Sequence, residues 1–200
     1  MIILPSAYLP SIAYFAALQR GDCLIDIGEH FIKRSERNRA RIMTSDGVME
    51  LSVQVAHANR PRQPMHTMQL DYSKRWQHQH WGALTAAYKA SPFFDHYAPR
   101  LEPFYREEWR SLTDFNLALL RTLCEAARIP MPSVSQTYVT ASEADWDLRP
   151  KQKSPAFYTE PYMQVFADRQ PFAPNLSFVD LLFAEGPNAS AVLRGCRFAD

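Results

Sequence analysis

The chain has 200 residues, of which 46% are hydrophobic and 12% aromatic, and its 22 Lys and Arg residues nearly balance 21 Asp and Glu residues at a formal net charge of +1. This length and apolar content suffice for one buried core, so we expect a single domain over residues 1–200. The near-neutral charge provides no overall field to attract nucleic acid or an acidic membrane surface, and we expect neither as a partner.

Three cysteines, at positions 23, 124 and 196, form no CxxC pair and leave an odd thiol. This pattern argues against a disulfide framework and a zinc site, so we expect no metal, no cofactor and a cytoplasmic location. The apolar residues 1–18 lack a basic start, are interrupted by two prolines and are too short to span a bilayer. We therefore expect no signal peptide and no membrane insertion. No feature of the sequence indicates an oligomeric state.

The first 27 residues predict a strand, a helix and a second strand. Residues Met1 to Leu4 form a short apolar run, and Ser11 is a suitable N-cap for a helix that ends at Gly21. Residues Cys23 to Ile27 form another short apolar run. Along the sequence, the first helix is therefore preceded by one strand and followed by another.

A basic segment follows between His30 and Ile42. It contains five cations, Lys33, Arg34, Arg37, Arg39 and Arg41. Helical spacing would place Arg34, Arg37 and Arg41 on one face, whereas strand spacing would align Arg37, Arg39 and Arg41. The spacing alone leaves both structures open.

The residues after the basic segment favour the strand. Asp46-Gly47 is typical of a two-residue hairpin turn, and apolar residues alternate with polar ones from Met49 to Val55. This turn places Ala40 opposite Val53 and Asn38 on the apolar face. The polar face then carries the row Arg37, Arg39 and Arg41.

Two interpretations of this row remain open. It is either a solvated strand face or an anion site, because guanidinium groups bind carboxylate and phosphate through paired hydrogen bonds. The second interpretation predicts an anionic small molecule or sugar precursor as ligand, bound by Lys33, Arg37, Asn38, Arg39 and Arg41. The loop at residues 56–64 adds Arg60 and Arg62, and it either closes over this surface or extends into solvent.

Alternation from Met65 to Tyr72 predicts a further strand, and a helix is predicted from Ser73. His80 lies in the apolar stripe of that helix, where a histidine is either a core residue or a proton-transfer group. More core helices follow up to Arg128.

The C-terminal third combines loops with one well-marked helix. Residues 141–155 are polar and contain prolines, which predicts a long surface loop. Ser177 is the expected N-cap of a helix that carries Asp180, the second candidate for proton transfer. The sequence has no glycine-rich phosphate loop and no GxSxG or HExxH motif, so catalytic motifs give no guidance.

Together these elements predict an α+β fold. We expect a mixed or antiparallel sheet built from the N-terminal strand, the hairpin and residues 65–72, covered by the helices between residues 73 and 128. The apolar C-terminal helix should pack back on this core, since it would otherwise expose a large hydrophobic surface.

Five segments, in this order along the chain, resemble the bacterial WbqC-like proteins: AYLPSIAYF, FIKRSERNRARI, ELSVQV, HWGALTAAYKASPFF and PNLSFVDLLFAEGP. The most specific positions are Lys33, Ser35, Asn38, Arg39, Asn175, Leu176, Ser177 and Asp180. The resemblance implies an association with surface-polysaccharide (O-antigen) gene clusters and a transferase of small groups, glycine among them.

Three classes of function compete. The first is an enzyme that transfers an acyl or aminoacyl group to a sugar, with the arginine face binding an anionic donor and His80 or Asp180 transferring protons. The second is an accessory protein that binds a nucleotide-sugar or an acidic partner on the same face without chemistry. The third, nucleic-acid binding, is disfavoured by the net charge and by the lack of aromatic residues among the arginines.

Overall fold

The computed structural model describes residues 1–152 and 155–199 and has the predicted α+β fold. Its helices are α1 Ile12–Arg20, α2 Trp76–Tyr88, α3 Phe94–Leu101, α4 Leu112–Ala127, α5 Phe178–Glu185 and α6 Ala189–Gly195. Its strands are β1 Ile2–Pro5, β2 Cys23–Asp26, β3 Arg39–Thr44, β4 Gly47–Ser52, β5 Ser133–Ser135, β6 Trp146–Asp147, β7 Ala156–Tyr158 and β8 Arg197–Ala199.

The main sheet is parallel, with the strand order β5-β2-β1-β6. Ile3, Leu4 and Ile25 are fully buried, as expected for the apolar strands of a parallel sheet covered on both faces. Strands β2 and β5 lie on one side of β1, and β6 returns to the other side. The strand order therefore reverses between β1 and β6, and such a reversal leaves a crevice beside the carboxyl ends of the two strands.

Helix α1 joins the two central strands and begins as the sequence predicts. The Ser11 hydroxyl oxygen accepts a hydrogen bond from the Tyr14 amide, and Gly21 ends the helix with a φ of 79°. The Phe15 ring of α1 stacks on Phe178 of α5 with ring centroids 3.9 Å apart. The C-terminal helix thus packs on the core, which confirms that prediction.

The hairpin of β3 and β4 forms a separate two-stranded sheet. Thr44 pairs with Gly47, so Ser45 and Asp46 form the turn and Ala40 lies opposite Leu51, two residues from the predicted register. A shift of two residues keeps every side chain on its own face, so the apolar alternation alone cannot select the register. The Thr44 hydroxyl donates to the Gly47 carbonyl at 2.8 Å and supports the observed turn.

The predicted strand from Met65 to Tyr72 is wrong. Residues Met65–Thr67 form a 3-10 helix, and only isolated bridges follow, at Gln69 and Leu70. The Thr113 hydroxyl donates to the Met65 carbonyl at 2.9 Å and holds this turn on α4. Because the hairpin and this segment are outside the parallel sheet, the single sheet expected from the sequence is replaced by separate sheets.

The predicted surface loop at residues 141–155 is also partly wrong. Trp146 and Asp147 form β6, and Arg149 is only 3% exposed. Its guanidinium lies 2.5 Å from the fully buried Asp26 carboxylate. An ion pair between residues 123 positions apart leaves no local sequence pattern. Lys153 and Ser154 of the predicted loop lie outside the described residues.

In the described part of the chain, no helix combines the length and the apolar character needed to cross a membrane.

Candidate functional site

A cavity of about 220 Å³ lies between the N-terminal end of α1, residues 34–36 and the hairpin. Its charged and polar walls come from distant parts of the chain and include Arg34, Glu36, Arg39, Arg41, Asn175 and Ser177. We call this space the arginine compartment. It brings part of the basic segment together with the segment that precedes α5.

The hairpin presents two of the predicted arginines to this compartment. Arg39 and Arg41 alternate along β3 with the buried Ala40 and Ile42, as the sequence predicts. Arg39 forms an ion pair with Glu50 across the hairpin, whereas Arg41 is exposed. Arg41 is thus a guanidinium group on the compartment wall that remains open to solvent.

Residues 175–177 close the compartment on the side of α1. The Asn175 side-chain oxygen accepts from the Ala13 amide at 2.8 Å, and the Leu176 carbonyl accepts from the Ile12 amide at 2.9 Å. With the Tyr14 amide bonded to Ser11, the first three amides of α1 have protein acceptors. The positive end of the helix is therefore satisfied internally, and a bound anion would rely on the guanidinium groups.

Glu36 lines the compartment together with Glu50, the partner of Arg39, and the sequence did not predict it as a site residue. Burial raises the pKa of its carboxyl, while Ser11 and Arg41 act in the opposite direction. Its backbone carbonyl accepts from the Tyr8 amide at 2.7 Å, which fixes the residue at the cavity wall. In the sequence, Glu36 is distinguished by its position among arginines. Only the fold shows that it lines a cavity.

Arg37 does not lie on the arginine face, which corrects the predicted row. Its side chain is fully buried, and its Nε donates to Glu29 at 2.9 Å while a second nitrogen pairs with the other carboxylate oxygen. Burial raises the pKa of Glu29 to about 7, and the Arg37 guanidinium opposes this shift. The chain enters β3 only at Arg39, so the strand periodicity does not extend back to Arg37.

The other two predicted ligand residues also point elsewhere. Asn38 is buried and donates to the Val53 carbonyl at 3.1 Å, so it joins the two arms of the hairpin. Lys33 is exposed and bonds the side chain of Asn59 in the loop at residues 56–64. Of the five predicted ligand residues, Arg39 and Arg41 therefore line the compartment.

His80 lies in the core, on α2. It is 5% exposed, and its Nδ1 is 2.9 Å from the Tyr8 hydroxyl. Burial lowers the pKa of the imidazole to about 4, which keeps it neutral at physiological pH. His80 does not line the arginine compartment.

Asp180 is also buried, at 1% exposure, and does not line the arginine compartment. Its carboxylate accepts from the Tyr88 hydroxyl at 2.8 Å, the Tyr162 hydroxyl at 2.5 Å and the Gln164 amide at 3.1 Å. Burial raises the pKa of this carboxyl, and the three donors oppose the shift. The arrangement ties α5 to α2 and to the segment before α5.

A second cavity of about 360 Å³ lies next to the first. The two share Ser11, Arg34, Ser35, Glu36 and Asn175, which form a polar neck between them. Beyond the neck the walls are mainly apolar and include Pro5, Tyr14, Leu148, Phe157 and Phe198. We call this space the apolar compartment. It lies beside the carboxyl ends of β1 and β6, where the strand order reverses.

The described residues include no cluster of three or more His, Cys, Asp or Glu side chains arranged to hold a metal ion. The three cysteines are free. Burial raises the pKa of Cys23 to about 11 and that of Cys124 to about 12, so both stay as thiols at neutral pH.

Comparison with known proteins matches residues 6–157 to the WbqC-like protein family. The chain belongs to this family. It is also similar to an uncharacterised protein of Mycobacterium tuberculosis, with 28% identity over 98% of this chain and 97% of that protein. No solved structure gives a significant match. In this WbqC-like protein the arginine compartment joins Ser35 and Arg39 to Asn175 and Ser177, four of the positions on which the resemblance rests.

Proposed function

We propose that this WbqC-like protein is a transferase that moves a small acyl or aminoacyl group, such as glycyl, onto a sugar precursor of surface polysaccharide. The arginine compartment would be its active site. The observation that supports the proposal is that Glu36 shares one cavity with Arg34, Arg39 and Arg41. A partly buried carboxyl with a raised pKa beside cations in a cleft is a frequent arrangement at catalytic sites.

The roles follow from the chemistry of each group. The guanidinium groups hold the anionic part of the donor, and the ionised Glu36 carboxylate removes a proton from the acceptor hydroxyl or amine. The acceptor atom then forms a bond to the acyl carbon. The leaving group departs with the electrons of the broken bond and takes the proton from Glu36. Arg41, open to solvent on the wall, can stabilise the negative charge that develops on the carbonyl oxygen.

This proposal replaces the proton-transfer roles expected for His80 and Asp180. Both side chains are buried in the core and already bonded to tyrosine hydroxyls. A general base must come within hydrogen-bond reach of the acceptor. Glu36 and Glu50 both line the arginine compartment, and Glu50 is already paired with Arg39, so Glu36 is the better candidate.

Mass spectrometry of candidate reactions tests the proposal. The protein is incubated with acyl and aminoacyl donors and amino-sugar acceptors, and the added mass on the acceptor is measured. General-base catalysis contributes about 10²–10⁴-fold, so Glu36→Gln should lower the rate at least about 100-fold while the protein still folds. Glu125→Gln, at an exposed position of α4, is the control and should keep the full transfer rate.

The accessory-protein alternative rests on a different observation. Arg34 and Arg41 are exposed residues on the compartment wall, and their guanidinium groups can bind an anion without any proton transfer. Three results together would favour a nucleotide-sugar-binding protein over an enzyme. An anionic ligand binds through Arg41, no donor gives transfer, and Glu36→Gln leaves ligand binding unchanged.

A further inference from the structure

The apolar compartment has no role in the chemistry assigned to Glu36 and the arginines. Its volume of about 360 Å³ falls within the range of about 300–1,000 Å³ typical of small-molecule sites. It shares five lining residues with the arginine compartment, so the two spaces lie next to each other, close enough for one extended ligand to reach both. The walls of the two compartments therefore indicate the chemistry of each end of that ligand.

Aromatic side chains form the far wall of the apolar compartment. Phe198 packs against Phe157 and Trp146 with ring centroids 5.3 and 5.4 Å apart. On the near wall, the Tyr14 hydroxyl donates to the Pro5 carbonyl at 2.9 Å, which holds that ring in place. Rigid rings that line a cleft suit a flat, unsaturated ring system better than a flexible chain.

In the neck between the compartments, the side-chain oxygens of Ser11 and Asn175 already accept from α1 amides. The Glu36 carboxyl, the Arg34 guanidinium and the Asn175 amide nitrogen also line this space. Such groups hydrogen-bond the hydroxyls of a sugar. From the aromatic wall to Arg41, a ligand therefore meets partners for a flat ring, then for hydroxyls, then for an anion. A nucleotide has these three parts in the same order.

The position in the fold supports the same ligand class. The apolar compartment lies beside Pro5 at the end of β1 and Leu148 just after β6, where the order of the parallel strands reverses. Ligands of open parallel sheets bind outside the carboxyl ends of the strands at such a reversal. Only the sheet order, which the sequence does not reveal, brings the two strand ends together.

We propose that the two compartments together bind a nucleoside diphosphate or a compound linked to one, with the base in the apolar compartment and the phosphates beside Arg34, Arg39 and Arg41. Its identification as a substrate of the reaction rests on the proposed function. Binding itself does not, because it requires only the cavity.

Isothermal titration calorimetry tests binding with the four ribonucleoside diphosphates, pyrophosphate and octyl phosphate. Ala13 lines the apolar compartment but not the arginine compartment, and Ala13→Leu fills part of the former while keeping the backbone amide that bonds Asn175. Arg41→Ala removes the open guanidinium. Ala191→Leu, an exposed position on α6, is the control for added bulk.

We expect at least one nucleoside diphosphate to bind at least 10-fold more tightly than pyrophosphate. Ala13→Leu should remove that advantage and leave pyrophosphate binding unchanged, whereas Arg41→Ala should weaken both at least 10-fold. The Ala191→Leu protein should bind like the wild type. If Ala13→Leu does not fold, Phe157→Ala on the opposite wall takes its place and should have the same selective effect.

Equal binding of pyrophosphate and all nucleotides would overturn this inference and leave the arginine compartment as an anion site. Tighter binding of octyl phosphate, lost in Ala13→Leu, would overturn it in favour of an aliphatic ligand. The transferase proposal fails separately, when nucleotides bind as expected but Glu36→Gln leaves the transfer rate unchanged. The absence of binding by any of these anions would contradict both.

Discussion

A decrease in pH from 7 to 5 should destabilise the protein through His80. The imidazole is 5% exposed, and its pKa is lowered by burial from 6.5 to about 4. When the pH falls from 6.5 towards 4, His80 takes up a proton in the unfolded chain but stays neutral in the folded one. The unfolded state therefore gains stability across this window, and the stabilisation present above pH 6.5 is lost as the pH approaches 4.

The size of the effect follows from the two pKa values. One pKa unit corresponds to about 1.4 kcal/mol, and pH 5 lies about 1.5 units below the pKa of a free histidine, so His80 should cost about 2 kcal/mol at pH 5. Glu29 acts in the opposite direction between about pH 4.5 and 7, because burial raises its pKa to about 7. The wild-type stability curve alone therefore mixes the two contributions.

Comparison with His80→Gln separates them. Urea unfolding of both proteins at pH 7 and pH 5 should show that the variant loses about 2 kcal/mol less than the wild type when the pH is lowered. His78→Gln, at an exposed position of the same helix, should follow the wild type. An identical pH response of the wild type and His80→Gln would show that His80 is not held neutral in the core.

Two further changes test the buried polar contacts. Arg149→Met should cost about 3–5 kcal/mol in urea unfolding, because it leaves the Asp26 carboxylate buried without its cation, and adding Asp26→Asn should restore part of the loss. A wild-type midpoint for Arg149→Met would refute the ion pair. Ser177→Ala should cost about 1–3 kcal/mol by leaving the Leu9 carbonyl without its donor, which lies at 2.8 Å. Aspartate is a good N-cap, but its carboxylate cannot donate a hydrogen bond to Leu9, so Ser177→Asp should be no more stable than Ser177→Ala. If Ser177→Asp is instead as stable as the wild type, Ser177 acts as a helix cap.

Several features of the protein follow from short stretches of sequence. Ser11 caps the first helix as expected, since its side chain and the Tyr14 amide that it bonds lie three residues apart. The alternation along β3 determines that Arg39 and Arg41 share the face opposite Ala40, and helical spacing places His80 in the core. Periodicity is a local property and survives an error of two residues in strand register.

The tertiary structure alone decided which polar side chains are buried and which groups they bond there. Arg37 and Arg149 look like surface arginines in the sequence, yet each has a buried carboxylate partner. Ser177 has the residue type and position of an N-cap, but its hydroxyl bonds Leu9, 168 positions away. Desolvation energies of this kind depend on which distant groups become neighbours, and local propensity contains no information about that.

The candidate site depends on the same kind of information. The sequence determined that the hairpin would carry adjacent arginines on one face. Only the packing of residues 34–36 against the start of α1 and residues 175–177 turned that face into the wall of a cavity with Glu36 inside it. The apolar compartment likewise exists because β6 returns to the free side of β1. A cavity is formed between elements, so its shape and the pKa values within it are set by contacts that form only when the chain folds.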